Sequence, residues 1–468
     1  MRKTKLFFLM LIAIVIPIYA GDGKYDFASL YSQMLKNNNR LEMADQSIYD
    51  SQLTVKDAKA LYQPTIGYSL YGLYMANPPI DKISMSVGTL LGQAGLTSGS
   101  QGTGLENVDL NRYVTLYDGM ENTYYGASLT LTQPLITWGK IPLSVKLAKT
   151  SSSVSELAKS DLIRQLETEL NISLHTLYYI DQIYALLDEA QNDSDELVEI
   201  ANEANINGIM SSQDVLDAKI QAEEITVQRA ELDSKYNNIL QSLRSLVGIS
   251  DLERDEISFE PETGVLERYR ECDVDQLKAL ATSSSSYQLQ IVNKKKAASE
   301  IQESLAWRSV YGVPDILLNV SAGYGGSRFP FAEIGWRQED DWSVNVSVVV
   351  SGNIWDGGKR INSINRAKSS QVSADISYDS AVDTLESAVE MSYNAMNLAL
   401  AKYDYQLLKK ENGDLKLDKI KIEVENGQKS KKDILNEELE IIKNDVDLLT
   451  SQITIVENVF MLDYLTNQ

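Results

Sequence analysis

Asn207-Gly208-Ile209-Met210-Ser211-Ser212-Gln213-Asp214-Val215-Leu216 returns in the second half of the chain as Asn426-Gly427-Gln428-Lys429-Ser430-Lys431-Lys432-Asp433-Ile434-Leu435. Each stretch reads as a tight reversal between two helices. Gly208 and Gly427 supply the left-handed geometry that ends one helix, and Ser211 or Ser212, and Ser430, can cap the next. The echo extends upstream. Trp138-Gly139-Lys140 corresponds to Trp355-Asp356-Gly357-Gly358-Lys359, each closing an alternating run, and Tyr62-Gln63-Pro64-Thr65-Ile66 has a looser partner in Gly312-Val313-Pro314-Asp315-Ile316. Helix, proline, strand, strand, Trp-Gly-Lys joint, long helix, glycine turn and long helix therefore occur in that order twice. A unit that mixes strand and coiled-coil patterns at this size is not a small solenoid repeat.

The helices flanking the turns must be long. Leu162, Leu166, Leu170, Leu174, Leu177, Ile180, Tyr184 and Leu187 step by three or four through a stretch poor in proline and glycine that runs from Trp138 to Gly208. Some 60 helical residues at about 1.5 Å each reach roughly 90 Å. Polar Gln191-Asn192-Asp193-Ser194 interrupts the apolar seam and marks a possible break. Near the C-terminus Leu435, Leu439, Ile442, Val446, Leu449, Ile453, Val456 and Phe460 alternate steps of four and three, a heptad seam that predicts left-handed coiled-coil packing.

Four other segments alternate with period two: Ile66–Tyr71, Ala127–Thr132, Ile316–Tyr324 and Trp342–Ser351. Their lengths approach the nine to eleven residues that a tilted strand needs to cross hydrocarbon. Tyr62, Tyr74, Tyr124, Tyr125, Trp138, Tyr311, Trp342 and Trp355 lie near their ends, like the aromatic girdle of an outer-membrane barrel. A soluble sandwich with one buried face would show the same local pattern. Four strands cannot close a barrel alone, so either the sheet is open and covered or several chains pool their strands. The first strand pair carries an insertion from Met75 to Thr123, with glycines at 88, 92, 95, 99, 102 and 104. It reads as a mobile external loop, with a plug or a partner site as alternatives.

The 468 residues carry a formal charge of −23, which disfavours a phosphate backbone as partner and suits a surface attractive to cations. A basic start, an apolar stretch from Leu6 to Ile18 and a small residue at Ala20 predict a secretory signal peptide over residues 1–20. No later stretch is apolar enough for a membrane-spanning helix, so insertion would have to use strands. With one cysteine, Cys272, and one histidine, His175, an intrachain disulfide is impossible and a zinc site is not expected. His175 sits beside Leu174 and Leu177 and reads as a packing residue. Trp355-Asp356-Gly357-Gly358-Lys359 lacks the spacing of a phosphate-binding loop, and no carboxylate pair faces an evident pocket. The pattern points to no catalytic residue, no metal and no cofactor.

The ordered set of features resembles the TolC-type outer-membrane efflux proteins over nearly the whole mature chain. The resemblance rests on the duplication, the Trp-Gly-Lys and Trp-Asp-Gly-Gly-Lys joints (Trp138, Gly139, Lys140; Trp355, Gly357, Gly358, Lys359), and Gly-x5-Asp-Val/Ile-Leu at both turns. The opening stretch from Phe27-Ala28-Ser29-Leu30 to Leu61-Tyr62-Gln63-Pro64 fits as well. It implies a mainly α chain with a β-barrel part. Residues 21–250 and 273–468 would be the two structural repeats, joined by a 251–272 linker. Three chains would share a twelve-strand barrel in the outer membrane, continued by a coiled-coil tunnel of helical hairpins through the periplasm. It further implies a passive exit duct for efflux or type I secretion, docked to a periplasmic adaptor and an inner-membrane pump, and closed at the helical tips. The entrance would involve Asp433 and Asn436, where the family can place two acids, with Lys429 restraining the closed tips. Val424 stands where some members carry a tyrosine. The first repeat holds both acids, as Asp214 and Asp217. Asp214 and Asp433 could equally serve the first turns of their helices. An adhesin using the 75–123 loop and a periplasmic coiled-coil spacer are the competing functions.

Overall fold

The computed structural model describes residues 25–94, 109–117, 119–310, 314–329, 331–332, 334–335, 337, 340–352 and 355–467. The expected signal peptide, Tyr311, and glycines 95, 99, 102 and 104 lie outside them. In chain order the elements are α1 (Phe27–Asn37), α2 (Asn39–Ala60), β1 (Thr65–Tyr74), β2 (Ile83–Ser86), α3 (Val87–Gln93), β3 (Tyr113–Tyr117) and β4 (Thr123–Ile136). There follow α4 (Lys140–Ile206), α5 (Ser212–Val247), α6 (Val274–Ala281), α7 (Tyr287–Val310), β5 (Asp315–Ser327), β6 (Asp340–Ser351), α8 (Lys359–Glu425) and α9 (Lys431–Thr466). Two compact units divide the chain, and each draws on both sequence repeats: Leu53–Lys149 with Glu300–Ser369, and the remainder.

The first of these units holds an antiparallel sheet of order β1-β4-β5-β6, so the strands of the two repeats join through β4 and β5. Its register sorts the side chains by face. Ile66, Leu131, Val320 and Val346 align across the four strands, as do Tyr68, Leu129, Ala322 and Val344. The alternate rows are Gly67, Thr130, Ser321 and Asn345, then Ser69, Ser128, Gly323 and Ser343. One face is thus apolar and the other small and polar, as a period-two pattern requires. A sandwich would bury the apolar face against a second layer. Here Tyr68 is 80% and Val346 68% exposed, and β1 and β6 are unpaired edges. Tyr74, Tyr124 and Trp342 mark one end of the strands, and Tyr62 and Trp138 flank the other. Part of the 75–123 insertion is folded rather than irregular: β2 and β3 pair, and α3 follows β2 with Ser86 accepting from the Thr89 amide.

The second unit is helical. Leu166, Leu170, Leu174 and Leu177 of α4 are each at most 1% exposed, in a core with α1, α2 and α5, while Ile183, Leu187 and Leu197 further along α4 belong to a second core with α8 and α9. Every member of the α9 seam except the half-buried Val446 is buried. The suspected break at Gln191–Ser194 does not occur, and α4 runs unbroken for 67 residues. Its polar side chains are satisfied within the helix: Ser194 Oγ donates to the Gln191 carbonyl at 2.9 Å, and Gln191 Nε2 to Asp195 at 3.0 Å. No helix among the described residues is long and apolar enough to cross a membrane.

The segment between α5 and α6 packs against the end of α9. The Asp463 carboxylate accepts from Tyr269 at 2.6 Å and pairs with Arg268, which also holds Glu262 at 2.7 Å. His175 is 2% exposed, with Phe259 and Phe460 ring centroids 4.7 and 4.8 Å away. Its Nδ1 pairs with the Asn171 carbonyl at 2.8 Å, and Nε2 is buried without a hydrogen-bond partner. Burial holds the imidazole below its ordinary titration range, so the fold favours the neutral ring. That contribution is complete above the unfolded value near 6.5 and is lost as the pH falls towards the depressed folded value. His175→Phe fills the aromatic cage and removes the orphaned nitrogen. It should match or exceed wild-type stability at neutral pH, by about 1 kcal/mol, and the margin should widen between about pH 7 and pH 5. Chemical denaturation across that window checks it; a margin independent of pH contradicts the assignment.

Candidate functional site: the helical turns and the seam between hairpins

The two turns have the same backbone. Gly208 (φ 70°) and Gly427 (φ 74°) occupy the left-handed region, and the amides of Ile209 and Gln428 each donate at 2.8 Å to the carbonyls of Ala204 and Glu423. Neither glycine has a heavy atom within 4 Å of where a Cβ would stand. The residue is required by its dihedral angle, not by space. The side chains differ. Around the first turn stand Ile206 and Ile209, exposed, and Met210, which reaches the core. Their counterparts in the second are Glu425, Gln428 and Lys429.

The serine caps form, and both acids join them. Ser211 Oγ accepts from the Asp214 amide at 3.2 Å, while the Asp214 carboxylate accepts from the Ser211 amide and hydroxyl at 2.9 and 2.7 Å. In the second turn the Asp433 carboxylate accepts from the Ser430 amide and hydroxyl, both at 2.9 Å. These bonds to Ser211 and Ser430 hold both carboxyls below their ordinary range. Their cap contribution is therefore complete above about pH 4 and is lost only as the pH falls through the lowered values. Three copies of Asp433 around an axis would have to overcome that bias before retaining a proton. Asp217 and Asn436 occupy matching places on the two returning helices, one turn beyond the caps.

Lys429 does not bond to Asp433. Its Nζ lies 2.9 Å from Glu423, inside its own hairpin, and Glu423 is also 3.7 Å from Lys419. The bond pattern that ties the hairpins together involves residues the sequence did not single out. Lys431, the first residue of α9, pairs with Glu196 of α4. Further along, Tyr464 donates to Asp161 at 3.2 Å and Arg164 donates to the Asp463 carbonyl at 3.1 Å. Within the hairpins, Tyr184 donates to Asp233 at 2.6 Å and Lys410 pairs with Asp445 at 2.7 Å. Charge density alone could not identify Lys431, because Lys429, Lys431 and Lys432 crowd one turn and only the packing of α9 on α4 selects one.

The strand-to-helix joints, equivalent in sequence, are closed differently. Trp138 (φ 53°) and Gly139 (φ 81°) turn the chain. Trp138 Nε1 donates to the Pro314 carbonyl at 2.9 Å, Lys140 pairs with Asp315 at 2.9 Å, and Arg308 donates to the Trp138 carbonyl at 2.6 Å. A side chain at Gly139 would meet Arg308 at 2.8 Å. The second joint uses two left-handed glycines, Gly357 and Gly358, and closes on itself: Asp356 accepts from the Arg360 amide and Nε, both at 3.1 Å. Lys359 opens α8, and Trp355 is 85% exposed. No group of residues suited to a metal ion occurs among the described residues.

No protein-family model matches the chain, and no curated protein matches it. Solved structures do match. The outer membrane protein VceC of Vibrio cholerae aligns with a TM-score of 0.67 at 15% identity, covering 94% of this chain and 95% of that one. The CmeC outer membrane channel of Campylobacter jejuni gives 0.67 at 14%, over 94% and 85%. The MtrE outer membrane channel of Neisseria gonorrhoeae, solved in an open state, gives 0.66 at 15%, over 94% and 88%. The chain has the fold of these outer-membrane channels, as the resemblance of its motifs led us to expect.

The unequal caps give a test. Ser211→Ala removes the hydroxyl that accepts from the Asp214 amide and should cost about 1 kcal/mol of local helix stability, whereas the Asp433 amide bonds the Ser430 carbonyl at 3.0 Å, which Ser430→Ala keeps, so that change should cost clearly less. Hydrogen exchange at Asp214 should then quicken about fivefold, and equal effects at the two turns would contradict the assigned bonds.

Proposed function

We propose that this chain is one protomer of a passive outer-membrane exit duct. The observation that carries the reading is the four-stranded sheet, with an exposed apolar face, a small polar face and two unpaired edges. In hydrocarbon every backbone group must be paired, so such a sheet is admissible only when closed into a ring. Strands alternate in direction across it, so β6 of one copy can continue antiparallel onto β1 of the next. Three copies, the number the family resemblance implies, make a ring of twelve. The apolar rows then face lipid, and the Ser, Thr, Asn and Gly rows line a water-filled lumen. The helical hairpins belong in the periplasm, docked to a periplasmic adaptor and an inner-membrane pump that supplies the energy of export. Drug efflux and type I secretion of polypeptides both fit such a duct.

Detergent extraction and native mass measurement test the assembly: a trimer that leaves the membrane only in detergent supports it, and a water-soluble monomer refutes it. Val346→Arg places a charge among the apolar rows. It should destabilise insertion by about 2–4 kcal/mol near the bilayer midplane and deplete the trimer, while Ser321→Arg on the polar face should assemble and alter ion selectivity.

The entrance is assigned to the second-repeat turn, through Asp433, Asn436 and Lys429, with Asp214 and Asp217 behind it on the first. Releasing Lys429 from Glu423 and Asp433 from Ser430 loosens that turn. Asp433→Ala combined with Lys429→Ala should therefore enlarge the closed-state conductance of trimers in a planar bilayer. Asp433→Asn keeps an acceptor for the Ser430 amide and separates the charge from the cap. Wild-type conductance and cation selectivity in both variants would remove the gating role and leave Asp433 as a cap alone.

A further inference from the structure

The polar face of the sheet changes character at one row. Thr65, Thr132, Asn319 and Ser347 align across the four strands, and the two rows beyond them are likewise built of glycine, serine, threonine and asparagine. Ser69 Oγ and Ser128 Oγ, 2.8 Å apart, satisfy one another there. The next row is Tyr71, Gly126, Gly325 and Asp341. The Tyr71 ring leans over β4, so that a Cβ at Gly126 would stand 2.5 Å from its Cε1 and 2.7 Å from its Cζ. A Cβ at Gly325 would stand 2.5 Å from the Tyr125 carbonyl oxygen. Both positions therefore stay bare. Tyr71 is nonetheless 62% exposed. At the far edge Asp341 is exposed too, with one carboxylate oxygen accepting from the Trp342 amide at 2.7 Å. Gly126 and Asp341 are two strand spacings apart, about 10 Å. Covering a strand glycine is one use of a cross-strand aromatic, and it accounts for the lean of Tyr71. It does not account for the acid that ends the row, because the rows of Thr65, Gly67 and Ser69 hold no charge.

We propose that Tyr71, Gly126, Gly325 and Asp341 form a cradle for planar aromatic cations, a site on the wall of the duct that discriminates among the molecules passing it. The two glycines are its floor, where a flat ligand approaches as closely as the backbone allows. The exposed face of Tyr71 offers stacking and cation–π attraction, and Asp341 supplies the opposite charge. A cation without a ring meets only a carboxylate screened by solvent. An aromatic anion meets the ring and is repelled by the acid. A ligand with its ring and its positive charge within about 10 Å of each other engages both ends of the row. The place of the cradle rests on the duct reading: the row lies at the strand end away from the joints, so in the closed ring three copies line the outer part of the lumen. The chain's charge of −23 concentrates cations there. The cradle itself is complete within one chain and needs no ring.

The probe is ethidium, a planar aromatic cation, with tetraethylammonium as the cation without a ring and naphthalenesulfonate as the ring without a positive charge. In planar bilayers, ethidium added on the outer side should block wild-type trimers at concentrations where neither control does. Tyr71→Leu still covers Gly126 but has no π face, and it should weaken the block about fivefold. Tyr71→Phe keeps the face and should stay within about twofold of wild type. Asp341→Asn should weaken the block and flatten its dependence on salt. Ethidium fluorescence titrated against the protein in detergent reads the same site without a channel, and the variants should rank in the same order. Wild-type affinity in Tyr71→Leu, or an equal block by tetraethylammonium, overturns the proposal. Binding that depends on Tyr71, in trimers that pass no current, keeps the cradle and removes the duct. Trimers that conduct but show neither block nor binding keep the duct and remove the cradle.

Discussion

A sheet with an exposed apolar face and two bare edges cannot be the finished structure of this chain in a membrane. The amides and carbonyls along the outer sides of β1 and β6 need partners, and hydrocarbon offers none. Strand addition by another copy, as proposed for the duct, would supply both needs at once, because the edges run antiparallel and the apolar rows would continue across the new junction. The rest of the molecule is arranged to respect this. The clamp of Trp138 and Lys140 onto Pro314 and Asp315, with Arg308 on the Trp138 carbonyl, fixes where β4 ends and β5 begins, and so fixes the register that keeps the apolar rows on one face. A slip of one residue would turn Val344, Val346, Val348 and Val350 of β6 onto the polar face.

Duplication explains why the two turns share a backbone to within a tenth of an ångström in their main hydrogen bond. It does not dictate their side chains. With the turn geometry secured by Gly208 and Gly427, the flanking positions were free to diverge, and the first became apolar while the second became charged. The joints diverged in the same way: one is fastened to the opposite repeat and the other to itself. Equivalent sequence positions thus keep equivalent conformations but acquire different partners.

The heptad seam of α9, the leucine ladder of α4, the period-two strands and both serine caps were legible because each depends on local spacing. One feature misled. Gln191–Ser194 looked like a break because polar side chains usually favour loops, yet Ser194 and Gln191 bond within their own helix. The 75–123 insertion read as a mobile external loop, and within it Ser86 caps a short helix between paired strands. The pair that joins the hairpins was illegible for a different reason. Glu196 and Lys431 are ordinary surface types in a chain of charge −23; only the docking of α9 on α4 pairs them.

The placement of the chain's carboxylates gives the acidic composition a structural meaning beyond solubility. Where an acid sits at a helix start, as Asp214 and Asp433 do, backbone and hydroxyl donors absorb its charge and the fold gains from ionisation. Where an acid is partly buried near other acids, as Asp193 is on α4, burial and its neighbours raise its carboxyl and the fold gains from the proton instead. The two kinds of carboxylate therefore respond to pH with opposite signs, so acidification that favours a proton on Asp193 leaves the caps that define the turns ionised.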